Sequence, residues 1–439
     1  MAGEWQRVRA ADIATHMAAG PFGSAIGAKY FRESGVPIIR GSNLSNEVGI
    51  RLSDDGLVFL EEEKAAEFKR SEAKRGDLIF TCWGTIDQVG LVDERARYQR
   101  YIVSNKQMLL SPDPQKADSL FLYYFFSSSQ SREEILNQGI GSSVPGFNLG
   151  QLRAFQVFLP PLPEQKRIAH ILGTLDDKID LNRRMNATLD AVSRAIFRSW
   201  FVDFDPVRQK AAGKQPVGMD AQTAALFPDS FEDSEIGEVP KGWAVAPLDE
   251  IADFLNGLAL QKYPAGDGPT LPVIKIAQLR KGDATDADRC NDAVPSEYVI
   301  EDGDVLFSWS GSLEVVIWCG GRGALNQHLF KVTSQSYPKW FYHLWTLHHL
   351  ADFRLIAADK ATTMGHIQRK HLSAAKVIVP PAGCIDGMTR TIEPLLLQSV
   401  RTRKESRTLA ALRDTLLPKL LSGEIRVPEA EQAVEEAMT

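Results

Sequence analysis

Two stretches of this chain, 220 residues apart, repeat one seven-residue pattern of side chains. The first row is Ile168, Leu175, Asn182, Leu189 and Ile196, and the second is Met388, Leu395, Thr402, Leu409 and Leu416. Companion rows run beside them (Leu172, Ile179 and Trp200, then Ile392 and Leu420). Rows at this spacing are typical of helices that pack along their length, although an ordinary buried amphipathic helix also gives such a row. Because the single polar position recurs in the copy, the pattern favours two long helices that pack on each other.

The limits of the first helix follow from its flanking residues. Pro163 suits a first helical turn and the apolar pattern persists to Trp200, which predicts about 38 residues or roughly 57 Å. The copy contains Pro394, which should kink the second helix or shift its start. The two helices are thus expected to match in register but to differ in regularity.

The segments before the helices also repeat. "GDLIFTCWGTIDQVGLV" at Gly76 matches "GDVLFSWSGSLEVVIWC" at Gly303, and "SNKQMLL" at Ser104 matches "LNQHLFKV" at Leu325. "SSVPGFNLGQLRAFQVFLPP" at Ser142 matches "TTMGHIQRKHLSAAKVIVPP" at Thr362, and Trp5 matches Trp243. Short β-like runs, turns and one aromatic helix make up each segment. The duplication predicts two related globular domains.

The predicted fold class is α+β. Two related globular domains are separated by a pair of long antiparallel coiled-coil-like helices, with approximate internal two-fold symmetry. The expected limits are a first domain at 1–158, a central helix at 159–205, a linker at 206–242, a second domain at 243–380, a C-terminal helix at 381–425 and an acidic tail at 426–439.

Composition excludes several classes of protein. No run of about eighteen apolar residues exists and the N-terminus lacks a signal-peptide pattern, so a cytoplasmic protein without a membrane partner is expected. The four cysteines form no Cys-x-x-Cys, which argues against a zinc site or a disulfide framework, and no metal is expected. The net charge of −6 argues mildly against nucleic acid, yet such a chain can still present a basic face.

Sequence motifs of catalysis are missing. The chain has no Gly-x-x-x-x-Gly-Lys-Ser/Thr loop and no Asn-Pro-Pro-Tyr or Asp-Pro-Pro-Tyr motif of amino-methyltransferases. "GIGSSVPG" at Gly139 offers a Gly-x-Gly, but its copy lacks the first glycines that a phosphate loop needs. We therefore expect no catalytic residues and no cofactor in this chain.

Basic, amide and aromatic residues are interleaved at matched places in both domains, most densely in "ERARYQRYIVSNKQ" at Glu94 and "RGALNQH" at Arg322. Arg and Lys contact phosphates or guanine, Asn and Gln read adenine, and Trp or Tyr stacks on bases. Taken singly, such runs are more often solvated strand edges. The candidate DNA-binding residues are Trp83, Arg97, Arg100, Asn105, Lys106, Ser142, Ser143 and Asn148 in the first domain and Trp309, Asn326, Gln327, His328, Thr363 and Arg369 in the second.

The sequence resembles the specificity subunits of Type I restriction-modification enzymes. The resemblance is carried by "FQVFLPPLPEQKRIAHILGTLDDKIDLNRRMNATLDAVSRAIFRSWFVDF", "IGEVPKGWAVAPLDEIADF", "GDVLFSWSGS" and "LRDTLLPKLLSGEI", which touch both halves of the chain. It implies that each domain is a target recognition domain for one half of a split double-stranded DNA sequence, without catalysis. It further implies two modification subunits that use S-adenosylmethionine, and motor-nuclease subunits that use ATP and Mg²⁺.

In such proteins the long helices set the spacing between half-sites and bind the modification subunits. The residues that the resemblance assigns to spacing or partner docking are Glu164, Gln165, Ile168, Leu175, Asn182, Leu189, Ile196, Trp200, Met388, Leu395, Leu409 and Leu416. The copy reads Gly383-Cys384-Ile385 where the first helix has Pro163-Glu164-Gln165. The two docking sites are therefore expected to be unequal if the Glu-Gln pair contributes to docking.

Two other classes stay open on the sequence alone. A self-contained DNA methyltransferase or nuclease is opposed by the missing motifs, and methylation by the purified chain would favour it. A structural scaffold without a DNA role is opposed by the matched basic and aromatic runs, and absence of DNA binding would favour it.

Overall fold

The computed structural model describes residues 5–140, 145–359 and 365–438. For residue 438 it describes the backbone only. Contacts divide the chain into two compact units, a first unit of residues 1–179 with 408–439 and a second unit of residues 180–407. The division therefore differs from the expected limits, which set the helices apart from the globular domains. It cuts each long helix in the middle, because each half of a helix packs into the core of its own unit.

Before the first long helix, the described residues of the first unit form ten short strands and four short helices. The strands are β1 (Gln6–Arg9), β2 (Ala14–Ala19), β3 (Val36–Ile39), β4 (Val58–Leu60), β5 (Glu72–Lys74), β6 (Leu78–Thr81), β7 (Val89–Leu91), β8 (Arg100–Val103), β9 (Gln107–Pro112) and β10 (Gln156–Leu159). The helices are α1 (Glu62–Ala66), α2 (Ser119–Ser127), α3 (Ser129–Asn137) and α4 (Leu149–Ala154), followed by the long helix α5 (Leu162–Phe201).

Two four-stranded sheets, in the orders β2-β9-β6-β7 and β4-β3-β8-β5, form the body of the first unit, and β1 pairs with β10. Strand β6 lies between two layers, because alternate side chains of a strand point to opposite faces. Leu78 and Phe80 pack in the cluster that holds Phe121 and Tyr124 of α2. Ile79 packs instead against Ile39 and its neighbours from the other sheet. Burial on both faces explains the unbroken apolar run of this strand.

The second unit repeats this arrangement. Its strands are β11 (Phe231–Ser234), β12 (Gly237–Pro240), β13 (Ala244–Pro247), β14 (Asp253–Asn256), β15 (Thr270–Ile274), β16 (Arg289–Asn291), β17 (Val299–Ile300), β18 (Val305–Ser308), β19 (Val315–Ile317), β20 (Gly323–Leu325), β21 (Leu329–Thr333) and β22 (Lys376–Val379). Its helices are α6 (Asp205–Ala211), α7 (Ala221–Ala224), α8 (Leu248–Ile251), α9 (Ile276–Lys281), α10 (Lys339–His348), α11 (Leu350–Asp359) and α12 (Arg369–Ala374), and the chain ends with α13 (Ala382–Ser422) and α14 (Val427–Met438).

The sheet orders of the second unit are β14-β21-β18-β19 and β16-β15-β20-β17, and β13 pairs with β22. These strand orders correspond strand for strand to those of the first unit. Each unit has a parallel pair at the same position, β3 with β8 (Ile39 opposite Val103) and β15 with β20 (Ile274 opposite Leu325). The α+β class with an internal duplication is thereby confirmed.

The contacts correct one detail of the repeat. Matching Ser104 with Leu325 is wrong by one residue, because Val103 and Leu325 hold the same parallel register. Ser104 corresponds to Asn326: the N–H of each donates to the end of the neighbouring strand, at Ile39 and Ile274. It follows that Asn105 corresponds to Gln327 and Lys106 to His328.

The long helices, of 40 and 41 residues, confirm the predicted helix pair. Helix α5 runs from Leu162 to Phe201, one residue beyond Pro163 and Trp200 at each end and within the expected segment 159–205. Helix α13 starts at Ala382, which is 220 residues after Leu162, and continues through Pro394. Pro394 therefore does not shift the start of the helix. Among the described helices, none combines the length and the apolarity needed to cross a membrane.

Within each unit the helix segments pack antiparallel. In the second unit, Asn182 donates to Glu405 at 3.1 Å, Thr402 donates to Asn186 at 2.6 Å and Arg403 donates to Asp190 at 2.6 Å. In the first unit, apolar residues of both helices (Ile168, Leu172, Leu175, Leu409, Leu416 and Leu420) share one buried cluster. The helix pair thus combines an apolar cluster with the buried Asp176–Arg413 ion pair in the first unit, and it has a polar layer in the second.

The linker and the tail are both ordered parts of the units. Phe227 of the linker is buried and packs on Trp200 and Trp243, with ring centroids 5.3 and 6.1 Å away. The segment expected as an acidic tail forms α14, which buries Val427, Ala430 and Val434 in the core of the first unit. Apolar residues within these charged stretches explain why both fold.

Candidate nucleic-acid interface

A cleft of about 480 Å³ opens on the first unit where three connections between strands meet. The first cleft, as we name it, is lined by Ile26, Phe31, Ile38, Arg40, Gly41, Thr81, Trp83, Gly84, Thr85, Gln88, Ser104, Asn105, Lys106 and Gln107. A tight turn between β8 and β9, closed by the Gln107 N–H on the Ser104 carbonyl at 3.0 Å, exposes Asn105 and Lys106. The cleft therefore brings together three of the predicted residues, Trp83, Asn105 and Lys106.

The charge of the first cleft is positive. Arg40 and Lys106 line it, and its lining residues include no carboxylate. Arg40 donates to the Gly56 carbonyl at 2.7 Å, while its buried Nε has no partner among the described residues. Two cations without a compensating carboxylate in the lining favour a phosphate ligand.

Polar groups inside the first cleft are held by one another. Thr81 donates to the Gln88 side chain at 3.2 Å, Gln88 donates to the Leu44 carbonyl at 3.2 Å, and Ser104 donates to Gln107. Such a network fixes the orientation of amides that can read base edges.

Trp83 offers a stacking surface at the first cleft, since 53% of it is exposed. Its ring lies over Gly146, where an added Cβ would come within 2.6 Å of the indole. A glycine at this position thus lets the ring lie flat on the backbone of the neighbouring segment.

Three other predicted residues of the first unit lie outside this cleft. Arg97 is exposed between β7 and β8, with its guanidinium 5.6 Å from the Tyr98 ring centre. Arg100 is bound to Glu62 and to Glu72, and the hydrogen bond with Glu62 raises its pKa. Asn148 caps α4 by accepting the Gln151 N–H at 3.0 Å. Ser142 and Ser143 lie outside the described residues.

The second unit places a histidine and tryptophan cluster at the corresponding strand ends. The second cluster consists of Asn256, Trp309, Ser310, Gln327, His328 and His366. Trp309 donates to Asn256 at 2.9 Å and to the Gln327 carbonyl at 3.2 Å. The ring of His328 lies 5.9 Å from that of Trp309, and its Nδ1 is 2.9 Å from the Ser310 hydroxyl. The predicted residues Trp309, Gln327 and His328 are thus brought together.

The remaining predictions in the second unit have other surroundings. Asn326 is only 4% exposed, and its side chain accepts the His328 N–H at 3.3 Å, so it holds the turn and has little surface for a ligand. Arg369 is exposed, donates to the Phe254 carbonyl at 3.0 Å and lies over the Phe330 ring. Thr363 lies outside the described residues.

Sequence reasoning missed Arg40, although the repeat contains a signal for it. "VPIIR" ending at Arg40 and "LPVIK" ending at Lys275 place a cation directly after corresponding strands. The copy differs in its surroundings: Lys275 pairs with Asp288, and this contact lowers the pKa of the carboxyl group. At this position only the first unit offers a cation without a paired carboxylate, among the described residues.

The partner-docking assignments change for Gln165. This side chain is fully buried: it accepts the Asp118 N–H at 2.8 Å and donates to the carbonyls of Lys116 and Pro160. It therefore ties α5 to its own unit and has no surface for a partner. Glu164 is partly exposed.

The apolar rows of the long helices also face inward. Most of their residues are buried, namely Ile168, Leu175, Asn182, Trp200, Met388, Thr402, Leu409 and Leu416, while Leu189, Ile196 and Leu395 are partly exposed. Leu181, Val192 and Leu397 are the exposed large apolar residues of these helices among those described. A partner would meet these three side chains before it met the rows.

The described residues contain no cluster of metal ligands. No group of three or more His, Cys, Asp or Glu there could hold a metal ion. Burial raises the pKa of Cys82 to about 12, so this thiol stays protonated.

Comparison with known proteins identifies the family. The "Type I restriction modification DNA specificity domain" matches residues 3–191 and 240–385, more than half of the chain. The Type I restriction enzyme MjaIX specificity subunit of Methanocaldococcus jannaschii is 25% identical over 320 residues, covering 71% of this chain and 70% of the relative. The Type I restriction enzyme HindI specificity subunit of Haemophilus influenzae is 24% identical over 373 residues, covering 74% and 81%.

A solved structure shares the fold. The crystal structure of the Type-I restriction-modification system S subunit from M. genitalium matches with a TM-score of 0.55 and 14% identity, covering 95% of this chain and 96% of that one. The chain belongs to the Type I restriction-modification DNA specificity family, and its role is recognition of a DNA target rather than catalysis.

Proposed function

We propose that each unit reads one half of a split double-stranded DNA sequence, the first unit through the first cleft and the second unit through the second cluster. The observation that supports this most is the recurrence of an amide followed by a basic side chain in corresponding turns of two equivalent folds, each beside a tryptophan whose position differs by one residue between the units. The chemistry differs between the copies, with Lys106 in one and His328 in the other, so the two half-sites need not be related in sequence.

The long helices have two roles in this proposal. Their buried rows and the polar layer of Asn182, Asn186 and Thr402 hold the helices together, which would fix the gap between half-sites. Two modification subunits would dock on the outer faces, where Leu181, Val192 and Leu397 are exposed. Those subunits would supply S-adenosylmethionine and methylate adenine, and motor-nuclease subunits would supply ATP-dependent cleavage with Mg²⁺.

The test is a single-molecule map of methylated adenines in the source genome, with and without this gene. We expect deletion to remove methylation from one split motif, two short half-sites with a fixed gap, and the gene on a plasmid to restore it. If deletion changes no methylation, the system is either not expressed or the proposal is wrong. Co-purification of a methyltransferase with the tagged chain distinguishes these two cases. A chain that copurifies with a methyltransferase but leaves every motif unchanged in a reconstituted methylation assay would contradict it.

A further inference from the structure

We propose that Phe22 of the first unit is a wedge that enters between two base pairs of the half-site which this unit reads. The inference rests on the proposed function. Phe22 is 88% exposed, the highest value of any large apolar side chain among the described residues. A phenyl ring that is exposed in the free protein gains free energy when a complex buries it.

The loop that carries Phe22, residues 20–27, forms one rim of the first cleft. The Gly20 N–H donates to the Gln107 carbonyl at 2.9 Å. Gly23 lies against the Asn105 amide, which an added Cβ would approach to 3.0 Å, and Ile26 lines the cleft itself. Phe22 therefore stands beside the side chains that are proposed to contact the DNA.

The backbone of this loop is restricted on both sides of Phe22. A Cβ at Gly20 would lie 1.8 Å from the Ser104 carbonyl oxygen, so only glycine allows the backbone to approach so closely. Pro21 restricts the backbone just before the phenylalanine, and the Ala25 N–H closes a turn on the Phe22 carbonyl at 2.9 Å. A loop whose backbone is already restricted loses little backbone freedom on binding.

Charge identifies DNA as the occupant. The neighbouring cleft presents Arg40 and Lys106 without a carboxylate in its lining, which suits a polyanion. Proteins that kink DNA combine cations on the backbone with an apolar side chain inserted at a base step. Phe22, Arg40 and Lys106 supply both parts around one cleft.

The second unit lacks the wedge and serves as an internal comparison. Gly257 takes the place of Gly20, since its N–H donates to the Leu329 carbonyl at 3.0 Å and an added Cβ would meet the Asn326 carbonyl at 2.2 Å. The residue two positions later is Ala259, and the neighbouring Leu258 and Leu260 pack into a core cluster. Only one half-site should be unstacked.

The test uses the full chain in complex with its methyltransferase subunits and short duplexes that contain the mapped target. Energy transfer between dyes that flank the first half-site measures bending, and 2-aminopurine placed singly at purines locates unstacking. We expect the wild-type complex to bend the first half-site and to raise the 2-aminopurine signal at one step there, with no change in the second half-site.

F22A should abolish both signals and weaken binding by roughly tenfold, the scale of one aromatic contact with bases, whereas F22L should retain part of both. F158A, at a phenylalanine of the same unit that is 42% exposed and outside the cleft, is the matched control and should change neither.

The outcomes separate the wedge from the function. Tight binding without bending by the wild type, together with unchanged binding by F22A, would overturn the wedge and leave DNA recognition standing. Loss of the methyltransferase subunits from the F22A complex on gel filtration would also overturn it, because Phe22 would then be a protein contact. Failure of the wild-type complex to bind any duplex that contains the target would instead count against the proposed function.

Discussion

Lys106 and His328 occupy the same place in the two units. The Lys106 carbonyl accepts the Cys82 N–H at 2.7 Å, and the His328 carbonyl accepts the Trp309 N–H at 3.3 Å. The two donors, Cys82 and Trp309, are each the first residue after equivalent strands, β6 and β18. Lysine is a charged donor only, whereas an imidazole can also accept a hydrogen bond. One backbone geometry thus presents two different chemistries at this turn.

Lys106→Ala should weaken binding to a duplex that contains the first half-site. If the ammonium contacts one phosphate, affinity at low salt falls on the order of tenfold and the slope of log K against log salt becomes shallower by about 1. Titrations of the complex at several salt concentrations measure both quantities. Lys116→Ala is the control, since Lys116 pairs with Asp113 outside the cleft. An unchanged slope would remove Lys106 from the interface.

Gln165→Ala should reduce stability rather than the affinity for modification subunits. The substitution leaves the Asp118 N–H and two carbonyls without their buried partner, which costs about 2 kcal/mol or more in free energy of unfolding. Urea denaturation measures the loss. Glu164→Ala, at the neighbouring and partly exposed position, should change stability little. Normal stability of Gln165→Ala with weakened partner binding would restore the docking role.

Asp176→Ala should destabilise the first unit strongly. Its carboxylate accepts from Arg413 at 2.7 Å and from the Tyr124 hydroxyl at 2.5 Å, and both side chains of the ion pair are almost fully buried. Removing the carboxylate leaves the Arg413 charge buried without a partner, which lowers the free energy of unfolding by about 3–5 kcal/mol. Thermal and urea unfolding of the chain measure this loss. Asp177→Ala, at an exposed neighbour, should stay within about 0.5 kcal/mol of the wild type.

His343 should make the second unit sensitive to mild acid. Burial, together with the nearby charges of Arg403, Arg194 and Lys339, lowers its pKa to about 3 in the folded protein. The unfolded chain takes up a proton near its ordinary value of about 6.5, so stability should fall as pH drops below that value, by at most about 1.4 kcal/mol per unit.

The measurement for His343 is the free energy of unfolding between pH 7 and 5, above the range in which most carboxylates titrate. His343→Leu should reduce the pH dependence and leave the part that comes from His348 and His349, whose pKa values burial also lowers, whereas His170→Leu, at an exposed histidine, should not change it. Equal slopes for the wild type and His343→Leu would show that this histidine does not couple to folding.

The helices were predictable because their information is periodic. The row from Ile168 to Ile196 repeats 220 residues later. The start of the first helix is marked by a local residue, Pro163, which lies in its first turn. The one-residue error between Ser104 and Leu325 arose where identical asparagines were aligned, although the strand pairing shifts them apart. Register within a sheet depends on partners that are distant in sequence.

The candidate site was predictable only in part for the same reason. Asn105 and Lys106 lie in a polar turn that the sequence marks, but Arg40 joins them from another strand. Arg100 and Gln165 looked suited to ligands, and their actual partners, Glu62 and the Asp118 N–H, are 38 and 47 residues away. Such pairings follow from tertiary packing and leave no local pattern.

The division of the chain through both long helices has a consequence for synthesis. Residues 408–439 complete the core of the first unit, yet about 230 residues separate them from Ile179. At a ribosomal rate of about 5–20 residues per second, the first unit waits on the order of ten to fifty seconds with the leucine face of α5 uncovered. During that interval the nascent protein is open to chaperones and to wrong partners, while the second unit can close as soon as α13 has passed Arg407.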